Sequence, residues 1–97
     1  MANLLKINRK NKHLPIEEKR ALLITEMRST LSAYERQIFD MLINRPVGVL
    51  EISFALCIND PRGHISVMGR KKGIPIQRRW VYSPNGKRYK EYWIELN

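Results

Sequence analysis

Between Arg62 and Lys72 the sequence gathers Arg62, His64, Ser66, Arg70, Lys71 and Lys72, and between Arg78 and Lys90 it gathers Arg78, Arg79, Lys87, Arg88 and Lys90. Guanidinium and ammonium groups at this density make charge-assisted hydrogen bonds to phosphate, and Arg, His and Ser can also reach the edges of bases. The chemistry on offer is recognition of a polyanion. Bond-breaking chemistry finds no comparable grouping. The acids Glu17, Glu18, Glu26, Glu35, Asp40, Glu51, Asp60, Glu91 and Glu95 mostly have helix-capping or surface explanations. No Ser, His and acid grouping and no phosphate-cradling glycine loop stands beside them, which argues against an enzyme. His13 and His64 are the two imidazoles and Cys57 the one cysteine, so neither an intrachain disulfide nor a metal or other cofactor is expected. Cys57, between Leu56 and Ile58, is expected as a small buried side chain.

Positive charge is concentrated rather than spread. The chain has 97 residues and a net charge of +9, with a pI near 10.1. Residues 61–97 hold nine Lys or Arg against two Asp or Glu, residues 1–20 six against two, and residues 21–60 three against five. A chain made basic only for solubility has no reason for such segregation, whereas a polyanion-binding face built from the last third does. With 43% hydrophobic and 28% charged residues the composition is that of a globular domain, and the length suits one core. The apolar runs are far shorter than the roughly 20 residues a bilayer needs. Residues 1–12 lack the apolar stretch of a signal peptide. A cytoplasmic protein with no membrane partner is the expectation.

The elements that must carry these groups can be read in order. Residues 1–14, with Lys6, Arg9, Lys10 and Lys12, have no sustained period and are expected to form a basic flexible arm. Residues 15–97 are expected to form a single domain. Pro15 opens a helix through Met27, its acids Glu17 and Glu18 suiting the positive end of the helix dipole. Ser32 and Glu35 form a Ser-x-x-Glu capping box. They start a helix whose apolar stripe is Tyr34, Ile38, Met41 and Leu42, joined by Phe39 and Ile43, with Glu35, Arg36 and Asp40 facing water. Asn44 to Gly48 end it. Residues 49–58, apolar apart from Glu51 and Ser53, are expected to be buried on more than one side, as a brief extended piece and a short helix over about 50–56. Asp60 and Pro61 cap and open a further helix, anchored by Ile65 and Met68 and ended by Gly73. Beyond it the period changes, and Asn85-Gly86 between two aromatic and β-branched runs signals a hairpin.

A capped helix, an apolar second helix, a basic third one reading His64-Ile65-Ser66-Val67-Met68-Gly69-Arg70-Lys71-Lys72-Gly73, then Ile74-Pro75-Ile76 and a closing Tyr92-Trp93-Ile94 strand form one ordered set. From Ser32 to Leu96 this resembles the small winged helix-turn-helix domains of bacteriophages and prophages. The resemblance implies a mainly α fold with a C-terminal β-hairpin. It also implies double-stranded DNA binding in a bacterial host cell, in transcription regulation or as an excisionase-like or replication accessory factor. A major groove about 12 Å wide admits one helix. Arg62, His64, Ser66 and Arg70 would reach its bases, while Arg78, Arg79, Lys87, Arg88 and Lys90 on the wing would meet phosphates or a narrow minor groove.

Each feature also has a plainer explanation. His64 stays open between a base contact and a solvated side chain. Arg70, Lys71 and Lys72 suit the negative end of a helix, although that leaves the wing cations without a reason. Trp80, Tyr82, Tyr89, Tyr92 and Trp93 are expected to pack the small sheet against the helices rather than to stack unpaired bases. The alternative function is a protein-interaction module, an inhibitor or anti-repressor whose basic face docks an acidic protein. RNA ranks behind both, since a helix cannot read the deep major groove of A-form RNA. The apolar surface of the Pro15–Met27 helix fits either a homodimer or an extra helix packed on its own core.

Overall fold

A computed structural model describes residues 15–96; the arm expected over residues 1–14 lies outside the described residues. These residues form an α+β fold with the order α1 (Ile16–Ser29), α2 (Ala33–Asn44), β1 (Val47–Gly48), α3 (Val49–Leu56), α4 (Pro61–Arg70), β2 (Ile76–Tyr82) and β3 (Arg88–Ile94). The three strands make one antiparallel sheet in the order β1-β3-β2.

Local chemistry sets most boundaries. Pro15 precedes α1 in extended conformation rather than standing in its first turn. At α2 the capping box forms in both directions: the Glu35 N–H donates to Ser32 Oγ at 3.4 Å, and the Ser32 N–H donates to Glu35 Oε1 at 2.8 Å. Asp60 accepts from the Arg62 N–H at 3.3 Å and Pro61 stands at the start of α4, where its missing N–H leaves no bond unmade. The hairpin loop is closed by the Ser83 N–H donating to the Lys87 carbonyl (2.8 Å) and the Gly86 N–H donating to the Ser83 carbonyl (2.9 Å). Gly86 has φ +83°. This is a three-residue loop ending in a left-handed glycine, a conformation that glycine adopts without a Cβ clash.

The core lies where α2, α3 and α4 meet the inner side of the sheet. Ile38, Phe39 and Leu42 of α2, Ile52 of α3 and Met68 of α4 are fully buried, and Tyr92 and Ile94 close it from β3. Alternation along β2 and β3 follows from the register Ile76↔Ile94, Arg78↔Tyr92, Trp80↔Lys90 and Tyr82↔Arg88, which puts all eight on the side facing the helices. Gln77, Arg79 and Val81 lie on the other side with Trp93, Glu91 and Tyr89. The helix α1 joins this core at its C-terminal end through Met27, followed by Leu31. Arg28 clamps it to α2 through two bonds to Asp40, at 2.9 and 3.0 Å. Leu23 and Ile24 are partly covered, whereas Ile16 and Leu22 face outward.

Four sequence expectations need correction. Glu35 is buried rather than facing water, because the capping box folds its side chain back over the helix start and Lys72 covers it. Tyr34, expected in the apolar stripe, is exposed and stands beside His64. Cys57 is exposed: it ends α3 in left-handed conformation (φ 55°), which turns its side chain outward. The 49–58 segment is buried on one side only, since Ile52 enters the core while Leu50 and Phe54, on the opposite side of α3, face solvent.

Candidate nucleic-acid interface

Helix α4 buries Pro61, Ile65 and Met68. Arg62, Ser66 and Arg70 recur every four residues, on the side of the helix that leaves them exposed. Facing them across a hollow of about 300 Å³ is Arg78, on the helix-facing side of β2, with Gly69 and Tyr92 among the walls. Gly69 keeps the wall low, and a Cβ there would sit 4.0 Å from the Ile74 carbonyl oxygen. Three guanidinium groups and one hydroxyl therefore border a single open groove. Arg62 also pairs with Asp60 at 3.2 Å on a surface open to water, an interaction weak enough to be exchanged for a phosphate.

The other expected site residues are distributed differently. Lys71 is exposed just past the end of α4. Lys72 is directed into the fold, where its Nζ lies 2.5 Å from Glu35 Oε1. Burial by itself would raise the Glu35 pKa. The hydrogen bonds from Lys72 and the Ser32 N–H, together with the Lys72 charge, outweigh it and hold the carboxyl below the ordinary glutamate range. His64 is half-buried on the side of α4 next to α2, its ring centroid 6.0 Å from that of Tyr34, outside the groove. Arg79 lies on the far side of the sheet, paired to Glu91 at 3.1 Å and 5.3 Å above the Trp93 ring. Lys87 is exposed at the hairpin tip. Arg88 and Lys90 lie over the Trp80 ring at 4.1 and 5.0 Å.

The aromatic set is likewise divided. Tyr92 is buried and Trp93 half-buried, but Trp80, Tyr82 and Tyr89 are 51%, 71% and 42% exposed. Tyr89 faces away from the helices, and Trp80 and Tyr82, on the helix-facing side, are left open to solvent, Trp80 beside the hollow between α3 and the sheet. What the sequence signals did not mark is the apolar pair Leu50 and Phe54. Their exposure depends on which side of α3 meets the core, and an almost wholly apolar segment carries no periodicity to show it.

Among the described residues no group of three or more His, Cys, Asp or Glu side chains is arranged to hold a metal ion, and no helix is long and apolar enough to cross a membrane. A scan against protein-family models finds no matching family, and searches of curated proteins and of solved structures find no match.

Proposed function

We propose that this chain is a winged helix-turn-helix protein that binds double-stranded DNA, with α4 entering the major groove and the β2–β3 hairpin as its wing. The observation that carries this reading is the common groove of Arg62, Ser66, Arg70 and Arg78. The order α2-β1-α3-α4-β2-β3, with β3 in the middle of the sheet, supports it. Arg62, Ser66 and Arg70 supply contacts to base edges and flanking phosphates, and Arg78, Lys71, Lys87 and Arg88 supply further phosphate contacts. Lys72 and Arg79 are structural cations in this reading. The biological role that goes with it is control of transcription, recombination or replication in a phage or prophage, and no catalysis is required. A homodimer through α1 would present two such heads to a two-fold site, covering Ile16 and Leu22.

Fluorescence anisotropy of a labelled mixed-sequence duplex, titrated with the full chain, tests the proposal. Each phosphate neutralised contributes about 0.9 to the slope of log affinity against log salt. Arg70→Ala and Arg78→Ala should each weaken binding by about tenfold, the worth of one charge-assisted contact, and each should flatten the slope by about one contact's share. Arg79→Ala should change affinity less than about twofold, as expected for an exposed ion pair outside the interface. Absence of binding at low salt, or equal losses from Arg78→Ala and Arg79→Ala, would refute the assignment. A matched RNA duplex should bind more weakly.

A further inference from the structure

Away from the Arg70–Arg78 groove, the sheet ends early along one side of β3. β1 pairs with β3 only through Val47↔Tyr92 and Gly48↔Glu91, whereas β2 accompanies β3 as far as Tyr82↔Arg88. From Arg88 to Lys90, β3 therefore has a strand on one side only. Its backbone donors and acceptors on the other side are open to pairing. Where β1 leaves the sheet, α3 begins and holds out Leu50 at 71% exposure and, one turn further on, Phe54 at 82%. Exposed apolar side chains that gather in one place mark contact surfaces.

Leu50 stands between two hollows. One, of about 580 Å³, lies between α3 and the helix-facing side of the sheet, at Trp80, Lys90 and Tyr92. The other, of about 500 Å³, is walled by Gly48, Tyr89 and Glu91 and reaches Lys87 and Arg88 at the hairpin tip. The acids around them are already engaged: Glu51 by Arg45, Glu91 by Arg79 and Asp60 by Arg62. Among the described residues no carboxylate lies within ion-pair distance of Lys87, Arg88 or Lys90. The surface thus combines a free strand edge, apolar anchors and uncompensated positive charge.

We propose that this edge binds a short, extended acidic segment of a partner protein. The segment adds as a strand beside Arg88–Lys90, its successive side chains fall alternately into the two hollows, and a bulky apolar one covers Leu50. Strand addition supplies main-chain hydrogen bonds for affinity and leaves alternate side chains to confer specificity. Charge selects the occupant. Residues 1–14 of this chain contain Lys6, Arg9, Lys10 and Lys12 and no Asp or Glu, and a second copy would bring a net charge of +9 to an already positive rim. Duplex DNA matches the charge but keeps its base faces stacked inside the helix, so it offers Leu50 and Phe54 little apolar counterpart, and unpaired bases do not supply the main-chain groups that the free edge of β3 would pair with. The proposal is carried by Leu50, Phe54 and the free edge of β3, which the DNA reading does not use, although the two surfaces share Arg62, Lys87 and Arg88; peptide binding and duplex binding are measured separately, so either can fail alone.

The test is a selection of displayed random dodecapeptides on the full chain, with counter-selection on a Leu50→Ser, Phe54→Ser variant. Both side chains are exposed, so this variant should keep the wild-type circular dichroism spectrum and duplex DNA affinity. The expected survivors are net-negative sequences with bulky apolar residues at alternate positions. One of them, synthesised, should lose at least about tenfold in affinity against the variant and weaken with salt. Binding should slow hydrogen exchange at the Arg88 and Lys90 amides, which point away from β2, and leave the Tyr89 amide, already paired with Val81, unchanged. No enrichment, enrichment of basic or uncharged peptides, apolar residues at helical spacing without protection of the Arg88 and Lys90 amides, or binding indifferent to the variant would overturn the proposal. So would sedimentation showing a dimer of the free chain that the variant dissolves, since a second copy would then be the occupant.

Discussion

Replacing Lys72 by Met should reveal that this cation belongs to the fold and not to the ligand. The Glu35 side chain is 7% exposed and that of Lys72 26%. Removing the ammonium leaves a buried carboxylate with the Ser32 N–H, at 2.8 Å, as its remaining strong donor. Breaking one side of a fully buried pair costs about 3–5 kcal/mol. Water reaching the lysine end reduces that here, and we expect about 2 kcal/mol at pH 7. For a chain of this size that corresponds to a fall in Tm of roughly 10 °C, or in urea midpoint of about 2 M if the slope is near 1 kcal/mol/M.

The pH dependence separates this from simple loss of packing. In the wild type the Glu35 pKa is lowered on folding, so its contribution is present above the ordinary value of 4.5 and disappears as pH falls through the folded value. In Lys72→Met the bonds to Ser32 are left alone against burial, so the Glu35 pKa rises from its wild-type position. Protonation in acid then costs the variant less than it costs the wild type. Urea unfolding at pH 7 and at about pH 3.5 should therefore show the stability gap closing in acid. Glu35→Gln combined with Lys72→Met should recover part of the loss, because no charge remains buried. A gap below about 0.5 kcal/mol at pH 7, the scatter of an ordinary surface substitution, or a gap unchanged in acid would refute the account.

Three further outcomes follow from local geometry. Cys57→Gly should stabilise the protein by up to about 1 kcal/mol in urea unfolding, since glycine takes the left-handed turn at φ 55° without Cβ strain and the lost side chain is exposed; a lower midpoint would contradict this. Gly86→Ala should cost about 1 kcal/mol and leave the hairpin in register by NMR, because φ is +83° yet no atom lies within 4 Å of the added Cβ. Met68→Ala, which empties a fully buried site under α4, should cost about 3 kcal/mol, and a loss near zero would mean that the core had collapsed around it.

Features that a residue makes with its own neighbours were readable from the sequence. The Ser32–Glu35 box, the Asp60-Pro61 start, the Gly73 stop and the Asn85-Gly86 loop are each completed within a few positions, and the four helices fall close to where the periodicity puts them. Features completed across the chain were not. β1 is two residues long and exists because Val47 meets Tyr92. Its apolar content does not distinguish it from the start of α3. Glu35 belongs by type to a solvated face, and Lys72, which covers it, stands 37 residues away. The capping box held part of the signal, because a glutamate that folds back to the Ser32 N–H is turned toward the helix start and away from water.

The same distinction divides the candidate site. On α4 the spacing of Arg62, Ser66 and Arg70 is enough to set them on one side, since 3.6 residues per turn leaves little freedom once Ile65 and Met68 are buried. On the hairpin, composition cannot say which of the adjacent Arg78 and Arg79 faces α4, because neighbouring strand residues point to opposite sides. The register decides it. Ile76 opposite Ile94, with Tyr92 opposite Arg78, commits the even-numbered positions to the core side and sends Arg79 outward to Glu91. A slip of β2 by one residue against β3 would exchange the two arginines but would also turn Ile76 away from the core side and put Gln77 in its place. The apolar residues that stabilise the sheet therefore select which arginine borders the groove, so a test of DNA binding through Arg78 against Arg79 is also a test of the sheet's register.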